Sequence, residues 1–181
     1  MLRIIAGTKK GMKIEVPDSA RPITDRIRTS IFDTIKEIVP EATVLDLYSG
    51  SGSFSIEALS RGASNSTIVE IDEEAIKFIY DNLRRMGLSD SASLLKSSVS
   101  SFLRDLPSDS TFDIIMTDPP FKLDQKHKYS DLELSANHLT DKGVIIFRFP
   151  STETYQNVPA GLTLIYSKKF GVSRVNYYRK Q

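Results

Sequence analysis

Between residues 43 and 149, short apolar and β-branched runs alternate with segments of helical periodicity, and this alternation restricts the fold more than any other feature of the chain. Residues 43–47 (Thr-Val-Leu-Asp-Leu), 66–71, 92–97, 112–117 and 143–149 read as strands, the third weaker and the last strongly apolar. The segments between them read as helices over 54–61, 73–86, 99–106 and 130–139. Gly62 and Gly87 close the first two. Glu73 and Glu74 favour the positive end of the second. Strands alternating with helices imply a mostly parallel sheet covered on both faces.

The ends of the chain break the pattern. Residues 2–6 and 12–16 are short apolar runs joined by Gly7-Thr8-Lys9-Lys10-Gly11, a hairpin signal. Residues 22–39 carry Ile23, Ile27, Ile31, Ile35 and Ile38 at three- and four-residue spacing. That segment reads as a helix with Pro22 in its first turn and Pro40 as its stop. Residues 162–169 and 172–179 are β-rich and separated by Phe170-Gly171, so an antiparallel edge is expected. The 181 residues fit one domain, with 1–40 as a hairpin-and-helix extension and 41–181 as the core.

Several classes fall away. No apolar stretch approaches 18 residues, so no membrane partner is expected, and the opening apolar run is too short for a signal peptide. With no cysteine there is neither a disulfide framework nor a thiolate zinc site. His127 and His138 lack metal-ligand spacing and read as surface or edge residues. No metal is expected, and the setting is cytoplasmic. Net charge is only +1, but residues 1–30 carry +4, residues 165–181 carry +5 and the body between them carries −8. Basic ends around an acidic body point to a polyanion such as nucleic acid. The same lysines could equally be a solvated coating on hairpins and edge strands.

Three motifs carry chemistry. Asp118-Pro119-Pro120-Phe121 follows the 112–117 strand, and its prolines cannot continue a sheet ladder. A carboxylate and a ring are thus held on stiff backbone at the edge where open α/β sheets bind ligands. That pair suits a planar group bearing an amine; the plainer reading is a strand-ending loop. Asp46-Leu47-Tyr48-Ser49-Gly50-Ser51-Gly52 runs from strand through a glycine turn into a helix. Its spacing matches neither the dinucleotide fingerprint nor a P-loop, which disfavours phosphate. An acid ahead of a glycine turn suits a ligand with an ammonium group. Glu70 lies 24 residues after Asp46, the offset of acids that hold ribose hydroxyls; Asp72 nearby is the alternative, or a helix cap.

At these residues the chain resembles the class I S-adenosylmethionine-dependent methyltransferases that act on exocyclic amino nitrogens. Arg3-Ile4-Ile5-Ala6-Gly7 through Gly11, Arg21-Pro22-Ile23-Thr24-Asp25-Arg26-Ile27-Arg28 and Leu59-Ser60-Arg61-Gly62-Ala63 resemble the RsmD-type enzymes, which methylate a guanine N2 in bacterial small-subunit (16S) ribosomal RNA. The resemblance implies a Rossmann-like, mostly parallel seven-stranded sheet with helices on both faces and a C-terminal antiparallel hairpin. It implies S-adenosyl-L-methionine as cofactor and S-adenosyl-L-homocysteine as product. Thr24, Asp46, Tyr48, Ser49, Gly50, Gly52, Glu70, Ile71, Ser98, Val99 and Asp118 would surround the cofactor. Asp118, Pro119, Pro120 and Phe121 would hold the target base. Lys9, Lys10, Lys13, Arg26, Lys122 and Lys126 would meet RNA, free or in an assembling small subunit, with the enzyme acting as a monomer. An adenine-N6 methyltransferase of DNA or RNA is the alternative, because it shares the tetrapeptide. One departure concerns adenine: Ser97-Ser98-Val99 stands where such enzymes often carry an acid. A serine hydroxyl or backbone groups would then recognise that base.

Overall fold

The computed structural model describes residues 2–17, 23–155 and 157–181. Pro22, expected in the first turn of the first helix, and Arg21, the start of the Arg21–Arg28 motif, lie outside the described residues. Among the described residues, nine strands and five α-helices follow in order: β1 (Leu2–Arg3), β2 (Lys13–Ile14), α1 (Asp25–Ile35), β3 (Thr43–Leu47), α2 (Ser53–Ser60), β4 (Asn65–Glu70), α3 (Glu73–Met86), β5 (Ala92–Lys96), α4 (Val99–Asp105), β6 (Phe112–Thr117), α5 (Gln125–Ala136), β7 (Leu139–Pro150), β8 (Leu162–Phe170) and β9 (Ser173–Lys180). A single 3₁₀ turn, Ser89–Ser91, precedes β5.

Seven strands form one sheet in the order β5-β4-β3-β6-β7-β9-β8. The five strands of the alternating segment run parallel, and β8 and β9 add the expected antiparallel edge. Alternation within the strands divides the core. Val44, Ile68, Ile114, Met116 and Ile146 face α1, α2 and α3. Leu45, Leu47, Val69, Ile115, Ile145 and Phe147 face α4 and α5. Both faces are buried, so these strands read as continuous apolar runs.

Several boundaries shift by one residue from the sequence reading, and the larger departures have local reasons. The N-terminal strands are two residues long because the chain beyond β1 turns to dock on α2. There the fully buried Glu57 accepts the Ile5 N–H at 2.8 Å, the Ala6 N–H at 3.0 Å and Arg61 Nε at 2.7 Å. Helix α1 starts at Asp25, with the Thr24 hydroxyl accepting the Ile27 N–H at 3.4 Å, and it ends at Ile35 rather than 39, where a turn closed by the Ile38 N–H on the Ile35 carbonyl at 2.9 Å replaces the last helical turn. Helix α5 starts at Gln125 rather than 130, because Asp124 caps it by accepting the His127 N–H at 3.0 Å. Strand β7 starts at Leu139 rather than 143, since Leu139 already pairs with Phe112 ahead of a register shift. His138, expected at the surface or an edge, is buried at 4% exposure, its Nδ1 2.9 Å from the Ser110 carbonyl oxygen.

Candidate active site

Strands β3, β4 and β6 end at one edge of the sheet. From β3 the chain first moves outward to β4 and β5, then returns to lay β6 on the other side of β3. The crevice at that reversal is where open α/β sheets bind ligands. The turn after β3 puts Tyr48 (φ 59°), Gly50 (φ 55°) and Gly52 (φ 67°) in the left-handed region. Gly52 has a second constraint: a Cβ there would lie 3.0 Å from the Ile79 side chain. A Cβ on Gly50 would meet nothing within 4 Å, so the space before the turn is open.

Glu70 ties this turn to the end of β4. One carboxylate oxygen accepts the Gly50 N–H at 2.7 Å; the other accepts the N–H groups of Ile71 and Asp72 at 2.8 and 2.9 Å. Asp72 itself is the cap of α3, accepting the Ala75 N–H at 2.8 Å. Asp46 lies below the turn at 2% exposure and accepts both the backbone N–H (3.2 Å) and the hydroxyl (2.6 Å) of Ser55. Burial pushes its carboxyl up to about 7; the Ser55 bonds oppose the rise, and the charges of Asp118 and Glu70 add to it. Ser49 Oγ, in the same turn, is buried without a hydrogen-bond partner.

Beside Glu70 opens a cavity of about 220 Å³, its wall including Tyr48, Ile71, Ser98, Val99, Pro120 and Leu123. Ile71 stands 62% exposed, an apolar side chain with a free flank at a ligand cavity. The Tyr48 hydroxyl donates to the buried Asp131, which also accepts Ser100 Oγ at 2.7 Å, so one carboxylate joins the β3 turn, α4 and α5. Burial and then that carboxylate raise the phenol above its ordinary range. Ser98 Oγ caps α4 by accepting the Ser101 N–H at 3.3 Å, and Ser97 Oγ donates to the Ser98 carbonyl at 3.0 Å. Both hydroxyls are thus engaged locally. Thr24 is outside this lining.

Pro120 links the cavity to the carboxylate and ring at the end of β6. Asp118 meets a partner that sequence reasoning missed: Arg148 Nη1 lies 2.8 and 3.0 Å from its two oxygens. The same guanidinium stacks 4.8 Å from the Phe121 ring centroid, and its Nη2 donates to Ser173 Oγ at 2.9 Å. Burial pushes the Asp118 carboxyl upward, and Arg148 pulls it back. A signal was present: Arg148 is the lone charge within the apolar Val144–Phe149 stretch of β7, where an ion needs a partner. Lys128 was missed as well. It belongs to the charged stretch after Phe121 but is buried, donating to the Phe121 carbonyl at 3.1 Å and pairing with Glu153 at 2.6 Å.

Of the residues assigned to RNA, Lys10, Arg26, Lys122 and Lys126 are exposed, and Lys9 and Lys13 are half-buried. Lys13 is paired with Glu15 at 2.8 Å. The two basic ends come together where Lys168 Nζ, on β8, donates to Ser30 Oγ on α1 at 2.9 Å. Among the described residues no group of acids and histidines could hold a metal, and no helix is long and apolar enough to cross a membrane.

Residues 2–179 match the protein family described as Conserved hypothetical protein 95. The chain is 30% identical over 182 residues to the ribosomal RNA small subunit methyltransferase D of Escherichia coli K12, covering 99% of this chain and 90% of that protein. The chain belongs to this family. A methyltransferase D from Haemophilus influenzae is 29% identical, with 98% and 93% covered. Among solved structures, yhhF of Escherichia coli superposes with a TM-score of 0.88 at 30% identity, over 99% of this chain and 98% of that one. TrmN of Thermus thermophilus, at 21% identity and a TM-score of 0.74 over 88% and 49%, shares the fold. Seven strands with this order and an antiparallel edge make the sheet that of a class I methyltransferase.

Proposed function

We propose that this protein methylates the exocyclic N2 of a guanine in bacterial small-subunit (16S) ribosomal RNA, using S-adenosyl-L-methionine. The observation that carries the reading is that Asp118 and Phe121, both held by Arg148, flank Pro120 in the wall of the cavity that Glu70 also lines, in a chain with full-length relatives named as small-subunit rRNA methyltransferases. The residues present suit that cofactor. Ser49 Oγ is an unpartnered buried group in a turn with open space before Gly50. Glu70 offers a carboxylate to ribose hydroxyls, and Ile71 and Val99 offer apolar surface to adenine. With the Ser97 and Ser98 hydroxyls engaged locally, backbone groups there recognise the adenine edge. Tyr48, Ser49, Gly50 and Gly52 surround the methionine end, and an ammonium group held there favours the ionised form of the Asp46 carboxyl beneath them, which burial otherwise raises to about 7.

The cofactor supplies an electrophilic methyl group and leaves as S-adenosyl-L-homocysteine. The chain's own residues do the rest. A guanine N2 lone pair is delocalised into the ring and attacks poorly. Asp118, accepting one N–H, and a carbonyl of Pro119 or Pro120 favour the pyramidal geometry in which the lone pair is free. Phe121 stacks on the base, a contact worth about 1–3 kcal/mol by analogy with other base–aromatic pairs. Holding both reactants in attacking geometry supplies roughly 7–11 kcal/mol. A paired base must first be flipped, costing a few kcal/mol. Lys9, Lys10, Arg26, Lys122 and Lys126 meet RNA phosphates, and Lys13 does so more weakly because of its partner. The enzyme works as a cytoplasmic monomer on ribosomal RNA or the assembling small subunit, with residues 1–40 and 41–181 forming one catalytic unit.

Mass mapping of methylated nucleosides in ribosomal RNA from cells lacking the protein tests this. One N2-methylguanosine of the 16S RNA should vanish, returning with the wild-type gene but not with Asp118→Ala. Loss of an N6-methyladenosine in its place overturns the guanine assignment.

A further inference from the structure

Arg148 touches both the carboxylate and the ring of the base site while standing outside the tetrapeptide that forms it. Its register explains how. Thr117 pairs with Phe147 across β6 and β7, so Asp118 and Arg148 are the next residues at the edge. On the other side Pro150 pairs with Ser173, whose hydroxyl anchors Nη2 at 2.9 Å. The guanidinium is thereby fixed between a carboxylate and a ring. The backbone that carries the ring is held as well, since Lys128 donates to the Phe121 carbonyl at 3.1 Å.

We propose that Arg148 is a positioning residue for the methyl acceptor. It aims the Asp118 carboxylate and covers one face of Phe121, so that the base stacks on the opposite face and presents its amine to the lone pairs that Arg148 leaves open. This rests on the reading of the site as a base-methylating centre. One nitrogen spans both carboxylate oxygens, at 2.8 and 3.0 Å, and occupies one direction on each. A carboxylate accepts in about four directions, so room for an N–H donor remains. The covered face is costly to open, because a base arriving there must break a charge-assisted bond and a cation–π contact together. The far face needs neither step, and Phe121 is 37% exposed.

Charge follows from the same contact. Asp118 accepts an amine hydrogen most strongly when ionised. Burial works against ionisation and Arg148 works for it. The other charged groups at this edge are Asp46 on β3 and Glu70 closing β4, both acidic, with Lys128 of α5 turned to Glu153. Arg148 is the cation that meets Asp118 among the described residues. Without it the folded carboxyl titrates at higher pH, and the acidic limb of activity moves up with it.

The test uses Arg148→Met and Arg148→Lys in the full chain, with two readouts. In methylation of small-subunit RNA, Arg148→Met should lower kcat about a hundredfold, the scale of a 1 Å misplacement. It should move the acidic limb of kcat/KM up by at least about one pH unit, as removal of a close opposite charge does. Binding of S-adenosyl-L-homocysteine should stay within about twofold. Arg148→Lys keeps the charge without the planar fork, so its limb should stay in place while kcat falls about tenfold. Unchanged kcat in either variant, or an unmoved limb in Arg148→Met, overturns the proposal. The second readout needs no substrate: ¹³C NMR titration of the Asp118 carboxyl, assigned with Asp118→Asn, should give a higher pKa in Arg148→Met. An unmoved pKa overturns the proposal even if the wild type methylates no guanine, whereas absence of guanine methylation alone refutes only the functional reading.

Discussion

Exchanging Glu70 for glutamine separates the two acids at the end of β4. Glu70 accepts three backbone N–H groups on two oxygens, at 2.7, 2.8 and 2.9 Å. Glutamine has one accepting oxygen. Turned toward Gly50 it sets its NH₂ against Ile71 and Asp72, and turned the other way it abandons Gly50. At least one charge-assisted bond disappears, each worth about 1.5–3 kcal/mol. Discounted for partial exposure, the net destabilisation is about 2 kcal/mol. In a chain of this length that lowers Tm by about 4–8 °C. A ribose hydroxyl that donates to the carboxylate loses a comparable amount, which weakens S-adenosyl-L-homocysteine roughly 10–100-fold. Calorimetric titration measures the affinity and scanning fluorimetry the Tm. Asp72→Ala is the control. It removes only the cap bond to Ala75, costs about 1 kcal/mol and leaves affinity alone. Wild-type affinity in Glu70→Gln, or weakened affinity in Asp72→Ala, would show that the ribose is held elsewhere.

Three more outcomes follow from the geometry. Asp46 has its carboxyl raised from 3.8 to about 7, so the folded state keeps a proton that the unfolded chain releases. Its contribution therefore favours folding below about pH 4 and is lost as pH rises toward 7, at roughly 1.4 kcal/mol per unit. Urea unfolding from pH 4 to 7 should show that decline, and Asp46→Asn should remove it. Lys128→Met leaves Glu153 without its 2.6 Å partner and frees the Phe121 carbonyl. It should cost about 3 kcal/mol in urea unfolding and reduce kcat, and retained stability would mean that the ion pair contributes nothing net. Reversing Lys9 and Lys10 should flatten the salt dependence of RNA binding, by about 0.7–0.9 in log–log slope for each phosphate left without its lysine. Neutralising Lys13 alone, as Lys13→Gln, should change it less than the loss of Lys9 or Lys10, since Lys13 is already paired with Glu15.

Legibility in the sequence followed the range of the forces involved. Helix α3 is read to the residue because its signals are local: acids in the first turn, Asp72 ahead of it and Gly87 at φ 64° behind it. Strand β6 is read equally well, since an apolar run ended by two prolines has few other solutions. The start of α5 was misplaced by five residues. Its first turn, Gln125 to Lys128, carries no apolar periodicity, and its cap, Asp124, sits in a charge-rich stretch that reads as loop. His138 looked peripheral because one polar residue in sequence does not show which groups will enclose it; pairing of Phe112 with Leu139 encloses it.

The sequence alone determined the alternation, hence the parallel sheet. It also set the glycine turn, Glu70 and Asp118 at strand ends that a parallel sheet must bring to one edge. That inference needs only the rule that parallel strands share a direction. The tertiary structure decided which side chains meet there. Arg148 reaches Asp118 across 30 residues because β6 and β7 are in the register Thr117↔Phe147; a shift of one residue would turn Arg148 to the other face. Lys128 turns inward because Glu153 and the Phe121 carbonyl converge beneath it, and α1 and β8 bring the two basic ends together at Ser30 and Lys168. Strand register and helix docking are set by the summed burial of the whole core, which no local run of residues encodes.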